Sequence, residues 1–381
     1  MNTALTPSPS SAPVRGGARE AGSRANVRAS VRGPAREPAP APSKETLSVH
    51  DLVTEHGLTL QDLNLIFKLA ARVKASPRAF ARALEGKQLA LIFEKPSLRT
   101  RVSFEVGMTS MGGFAVYLDH AKPRLGERES IKDVALNLER WVDGIAARTF
   151  SHSSVAELAE YASIPVINAL TDLLHPCQAL SDFFTLREKF GTLGGLKLAF
   201  VGDGNNMCHS LMLLAAKLGV RMSIATPPGF EPKAGILEDA AAFASSTGAS
   251  IEVTNDPLEA VRGAQAVYTD VWASMGQEHS AHLRAQIFAP YRVTADLMAA
   301  ADSAAVFMHC LPAHRGLEVA DEVIDAPQSM VYDQAENRLH VEKALLLLLL
   351  EDGRHRAAKL ERRKQVQTQI ESMAAPALVE P

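Results

Sequence analysis

Cysteine is scarce in this chain. Its 381 residues hold three, Cys177, Cys208 and Cys310, without C-x-x-C spacing. That argues against a disulfide framework and a finger-type zinc site, and it fits a reducing compartment. Long apolar runs are also missing. Leu345 to Leu350 is a run of leucines, far short of the roughly 20 residues that a membrane span needs. Neither sign of charge dominates. Forty Lys and Arg face 43 Asp and Glu, for a net charge of -3. A broad basic surface for nucleic acid or for a membrane is therefore not expected. What is present, 46% hydrophobic and 22% charged residues, fits a soluble globular protein long enough for two domains.

Residues 1–45 contain no aromatic residue and are rich in Ala, Pro, Ser, Gly and Arg. They read as a disordered extension. The alternative is an organellar transit peptide, because Arg15, Arg19, Arg24, Arg28, Arg32 and Arg36 recur at near-helical spacing. Glu20, Glu37 and the many prolines oppose it. A cytoplasmic protein is expected, with a mitochondrial or plastid location as the alternative.

The rest of the chain alternates strand and helix patterns. Strands are expected near 89–93, 114–118, 144–147, 165–167, 197–201, 222–225, 251–253, 266–269 and 306–309. Helices are expected within 48–75, where Leu63, Ile66, Phe67 and Leu69-Ala70 share one face, after residue 97, and near 131–142, 154–162, 176–190, 206–218, 237–247, 257–261 and 335–350. The expected fold is α/β, with two doubly wound parallel-sheet domains. Gly191, Gly194 and Gly195 mark a hinge between them.

Ligands of such sheets bind beyond the carboxyl ends of strands, and these positions are unusually polar. The first is Ser97-Leu98-Arg99-Thr100-Arg101, where Ser97 is a candidate N-cap. Free backbone N–H groups, the helix dipole, hydroxyls and guanidinium forks converge there, as phosphate binding requires. An ordinary capped helix with solvated arginines is the plainer reading. Arg148 follows another strand, and His175 and Gln178 open a helix. With Thr100, Arg148 and His175 could donate to a carbonyl oxygen gaining charge, and Gln178 could meet an NH2 group. A salt bridge for Arg148 and a local cap for His175 are the alternatives.

A second set suits an amine. Asp270 at a strand end is a natural partner for an ammonium, and Asn206 for a carboxylate or amide. Cys310, beside His309, could be a nucleophile, a ligand or a buried thiol. Adjacent strand residues point to opposite faces, which argues against a Cys–His catalytic pair. A zinc site through His175, His309 and Cys310 is a minor alternative. Gly202-Asp203-Gly204 invites a dinucleotide reading. Met207 stands where that motif needs its third glycine, and no acid follows the next strand, where Thr226 lies.

Together these motifs resemble the ornithine carbamoyltransferase family. The match runs from about Leu47 to Leu350 through S-x-R-T-R, "HPCQ", "GDGNN", "DVWASMGQE", "MHCLP" and "AENR". The resemblance implies a carbamoyl-phosphate domain at 46–185 and an ornithine domain at 186–335. A C-terminal helix at 336–352 would return to the first domain, ahead of a charged tail at 353–381. It also implies a homotrimer or a multiple of trimers, no metal or cofactor, and transfer of a carbamoyl group to ornithine in arginine biosynthesis. The alternatives are an N-acylated ornithine or putrescine as acceptor, and a non-catalytic relative that only binds carbamoyl phosphate. Carried over by motif, Ser97, Leu98 (through its backbone), Arg99 and Thr100 would hold phosphate. Arg148, His175, Gln178 and Arg338 would hold the carbamoyl end. Asn206, Asp270, Ser274, Met275, Cys310 and Leu311 would place ornithine, with Cys310 as a positioning group. Leu98 replaces the threonine common in the turn. Arg124 stands where many members carry a glutamine, and it is a further candidate ligand.

Overall fold

The computed structural model describes residues 46–273, 281–350 and 359–361. The first part alternates β1 (Gln88–Phe93), α2 (Leu98–Ser110), β2 (Phe114–Asp119), α3 (Ile131–Trp141), β3 (Gly144–Arg148), α4 (His152–Tyr161) and β4 (Val166–Leu170), preceded by α1 (Leu60–Ala75). Its strands form a parallel sheet in the order β2-β1-β3-β4. Along β1 the pleat sends Leu89, Leu91 and Phe93 into one core and Ala90 and Ile92 into another. A strand buried on both faces must read as a continuous apolar run, and β1 does.

α5 (Pro176–Phe190) leads to the second part. There β5 (Lys197–Val201), α6 (Asn206–Leu218), β6 (Arg221–Ala225), α7 (Ala234–Thr247), β7 (Ser250–Thr254), α8 (Pro257–Val261) and β8 (Ala266–Thr269) follow. Next come α9 (Ala281–Phe288), α10 (Ala295–Ala299), β9 (Val306–His309), α11 (Asp321–Ile324) and α12 (Val331–Leu350). The second sheet is also parallel, in the order β7-β6-β5-β8-β9. The fold is two parallel-sheet α/β layers, as expected. Three helices had no counterpart in the sequence reading: α9, α10 and α11, of at most eight residues each. Segments so short hold too few periods to register unless a start signal marks them, as Asp256-Pro257 does for the five-residue α8.

Strand order matters for function. In the first sheet the chain turns outward from β1 to β2, then returns to place β3 on the other side of β1. In the second it runs from β5 out to β7, then returns to place β8 beside β5. Each sheet therefore has a switch point, β1/β3 and β5/β8, where flanking loops part and leave a crevice at the carboxyl ends. The phosphate-type turn and Arg148 end the first pair. Gly202-Asp203-Gly204-Asn205 and Asp270 end the second.

α12 starts four residues earlier than the pattern suggested. All six leucines of its last turns are buried, and it packs on α1, α2 and α5. The leucine run is thus a core element, and no described helix is long and apolar enough to cross a membrane. The extension 1–45 and most of the tail lie outside the described residues.

Ahead of α1, Leu52 bridges to Ile167 beside β4, and the following turn buries Glu55 completely. Neither carboxylate oxygen has a hydrogen-bond partner of good geometry. Burial lifts its pKa from 4.5 to about 7, against weaker opposing effects of Ser210, His56 and Lys217. The folded state therefore holds this proton more tightly than the unfolded chain. The stability linked to it is complete below pH 4.5 and is lost as pH rises through about 7. The loss approaches roughly 3 kcal/mol. Glu55→Leu should accordingly stabilise the protein more at pH 8 than at pH 5 in denaturant titrations. An equal gain at both pH values would contradict the charged-state penalty.

Candidate active site

The carboxyl ends of both sheets and the start of α12 enclose a cleft of ≈570 Å³. Ser97 caps α2: its Oγ accepts from the Thr100 backbone N–H at 3.2 Å and donates to Thr100 Oγ1 at 3.1 Å. Ser97, Arg99 and Thr100 line the cleft, while Leu98 is 74% exposed and is not among the lining residues. Arg101 also departs from the first reading of the turn. It pairs with Glu105 on its own helix at 3.0 Å and stacks on Tyr117.

Arg148, at the end of β3, and Arg338, on α12, line the same cleft as Arg99. Burial, then Arg338 and Arg99, push the Arg148 pKa down to about 9. Burial is the largest single influence on Arg338 and disfavours its charge, but Glu342, Cys177 and Asp182 together leave its pKa raised, so it stays a cation. Its Nε donates to Glu342 at 2.6 Å and its Nη2 to Thr100 Oγ1 at 3.1 Å. Lys95, missed in the sequence reading, adds a fourth cation. Its ammonium lies 4.3 Å from the Phe150 ring centroid, and burial followed by Arg148 pushes its pKa down to about 8. Repelling cations with a helix N-terminus among them form a site that a dianion would relieve.

His175 precedes α5, and its backbone N–H donates to Ser210 Oγ on α6 at 2.8 Å. Burial, then Arg338, Arg148 and Arg99, hold its pKa well below the usual range. The imidazole is therefore neutral at pH 7. Its Nδ1 is buried without a partner, and the ring can donate one N–H to a carbonyl oxygen without adding charge. The Gln178 amide is already engaged. Its Oε1 accepts from Arg338 and its Nε2 donates to Asp182 at 2.8 Å. It retains one carbonyl lone pair for a new donor.

The opposite side comes from the second sheet. Asp270 accepts from Asn205 Nδ2 at 2.8 Å, its neighbour Val271 N–H at 2.8 Å and Cys310 Sγ at 3.1 Å. Burial and Asp270 push the thiol pKa well above its normal value, so Cys310 is a neutral donor and not a thiolate nucleophile. His309 does not activate it. The His309 Nδ1 accepts from Leu311 N–H at 2.8 Å and the other ring nitrogen faces Glu318. Leu311 itself lies in the left-handed region, at φ 57°. Asp270, His309 and Cys310 do bring ligand-type atoms within 4.8 Å of one another. The trio differs from the His175-containing set weighed above, and the Leu311 N–H already occupies the Nδ1 lone pair.

Asn206 lines the cleft and donates to Thr171 O at 2.6 Å, leaving a second amide N–H free to bind. Leu311 lines it too. Asn205 also went unrecognised, although an Asn before an apolar helix is an N-cap signal; its Oδ1 accepts from Met207 and Cys208 N–H. Gly204 is required sterically, since a Cβ there would lie 2.4 Å from Pro232 N. Arg124 is exposed, rests on the Phe150 ring at 4.1 Å and is not among the lining residues. Ser274 and Met275 lie outside the described residues.

Family comparisons agree with this two-sided cleft. Residues 50–188 match the carbamoyl-P binding domain of aspartate/ornithine carbamoyltransferases, and residues 194–349 match their Asp/Orn binding domain. The chain belongs to the ornithine carbamoyltransferase family. The family member from Methanothermobacter thermautotrophicus is 57% identical over 271 residues, covering 71% of this chain and 90% of that protein. The member from Pyrococcus horikoshii is 50% identical over 307 residues, covering 81% and 96%. Among solved structures, the ornithine carbamoyltransferase from Pyrococcus furiosus aligns with a TM-score of 0.78 at 49% identity, covering 80% of this chain and 98% of that one.

Proposed function

We propose that this protein transfers the carbamoyl group of carbamoyl phosphate to the side-chain amine of L-ornithine, giving L-citrulline and phosphate. One observation carries the reading: a cation-rich helix N-terminus and a carboxylate–thiol pair share one cleft at the switch points of two sheets. Arg99, Ser97, Thr100 and the Leu98 backbone would hold the phosphate. Arg148, His175, Gln178 and Arg338 would hold the carbamoyl group, with donors aimed at the oxygen where charge develops. Asn206, Asp270, Cys310, Leu311, Ser274 and Met275 would place ornithine.

The amine must attack in its neutral form. The surrounding cations disfavour its protonated state, and phosphate, as it leaves, can accept the proton. Asp270 then serves ornithine's charged α-amino group, and Cys310 sits beside the reacting amine. No metal or cofactor has a part in this chemistry. The assembly we favour is a homotrimer. Leu98, Val102 and Val106 on α2 and Phe114 on the edge strand β2 are exposed, and such apolar surface suits a subunit interface. The biosynthetic direction of arginine metabolism and a cytoplasmic setting complete the reading.

The decisive experiment offers purified protein carbamoyl phosphate with ornithine, N-acetylornithine, putrescine or aspartate, and scores the carbamoylated product. Citrulline should dominate. Preference for any other acceptor would overturn the assignment.

A further inference from the structure

Asp182 lies on α5, one turn beyond Gln178, and is completely buried. The chemistry above gives it no task. Its carboxylate nevertheless takes hydrogen bonds from three separate elements. Oδ1 accepts from Gln178 Nε2 at 2.8 Å and from Gln334 Nε2 on α12 at 2.9 Å. Oδ2 accepts from the Tyr268 hydroxyl on β8 at 3.0 Å.

Each donor leads back to the cleft. Gln178 accepts through its Oε1 from Arg338, which donates onward to Thr100 at the phosphate turn. Gln334 accepts through its Oε1 from the backbone N–H of His309 at 2.9 Å, one residue before Cys310. Tyr268 lies two residues before Asp270 in the chain. Burial, then Asp182, push its phenol well above the ordinary range, so it remains a donor. One carboxylate therefore joins the anion side, built on the first sheet, to the amine side, built on the second. Burial of Asp182 is offset only in part by its three donors, and its pKa stands at about 6. It is ionised at pH 7 and 8.

We propose that Asp182 is a positioning residue that sets the Gln178–Arg338 pair and the Cys310 turn together, so that filling the anion side strengthens binding on the amine side. The proposal rests on the substrate assignment above. A carboxylate only accepts hydrogen bonds. An asparagine of the same shape can keep both glutamine bonds on its oxygen, but its NH2 must face a tyrosine that now has to accept. Asp182→Asn thus removes the charge and reverses the β8 branch at nearly constant volume.

The test measures binding of L-norvaline (ornithine without its side-chain amine) to the full chain by calorimetry, with and without carbamoyl phosphate. Wild type should bind norvaline about tenfold or more tightly when carbamoyl phosphate is present. Asp182→Asn should keep its carbamoyl-phosphate affinity within about threefold while the enhancement falls below about twofold. Tyr268→Phe, which removes one donor and leaves the carboxylate, should show an intermediate enhancement and keeps the test open if Asp182→Asn fails to fold. An undiminished enhancement in the folded variants would overturn the proposal, as would a wild-type protein that binds both ligands without enhancement. A wild type that binds neither ligand would instead overturn the substrate assignment.

Discussion

Arg99→Ala should abolish carbamoyl-phosphate binding and turnover together. Arg99 sits in the first turn of α2, where its guanidinium lines the cleft beside Ser97 and Thr100. Burial, and then Arg338, make its charge costly. Dianion binding would convert that cost into attraction. Truncating one partner of a buried, hydrogen-bonded charge pair costs about 2–5 kcal/mol, or roughly 30- to 5,000-fold in affinity. Because phosphate is the leaving group, the lost contact also serves the transition state, so kcat should fall as well as carbamoyl-phosphate affinity. The fold should survive, since Ser97 still caps the helix and no core residue is touched. Steady-state kinetics paired with phosphate-binding calorimetry would decide it. Near-normal kcat/KM for carbamoyl phosphate in a folded variant would remove Arg99 from the phosphate site.

Local signals in the sequence located the elements well. The apolar run at Leu89–Phe93, the Ser97 cap and the helix from Asn206 to Leu218 are all written in contiguous residues. Strand order is not. That β3 and β8 return beside β1 and β5 follows from crossovers that no local pattern encodes, and it is this order that opens both crevices. The site divides in the same way. Arg99, Arg148, His175, Asp270 and Cys310 stand just after strands, where a polar residue is conspicuous. Lys95 was hidden just ahead of the phosphate-type turn, where Ser97, Arg99 and Thr100 were the stronger candidates. Asp182 and Gln334 lie inside helices, where a polar residue reads as solvent-facing until its distant partners are known. The same long-range bonds explain why Gln178 looked free in sequence but has both ends of its amide engaged. Adjacency on a strand already argued against pairing His309 with Cys310, and the His309 ring is tied to Leu311 and Glu318 instead.

The second large effect expected is in Asp270→Asn, and it should fall on the other substrate. Asn205 Nδ2, Val271 N–H and Cys310 Sγ all donate to the Asp270 carboxylate. These neutral donors stabilise its charge without cancelling it. The net negative charge that remains is what an ammonium of ornithine would meet, opposite the cations that would hold phosphate. Asparagine preserves the volume, but its NH2 would oppose at least one of the three donors. The variant therefore loses the charge and gains a donor–donor conflict. A loss of about 2–5 kcal/mol follows from unpairing a buried charge, so kcat/KM for ornithine should fall by roughly 30- to 5,000-fold. Carbamoyl phosphate, bound on the first-sheet side, should keep its affinity. Cys310→Ser supplies the contrast, since a hydroxyl can still donate to Asp270 while leaving its charge intact. It should therefore be the milder change. The split between substrates is what distinguishes an ornithine-side role from general damage. If Asp270→Asn weakened both substrates equally, or if Cys310→Ser were the more severe, the carboxylate would not be the group that holds the amine substrate.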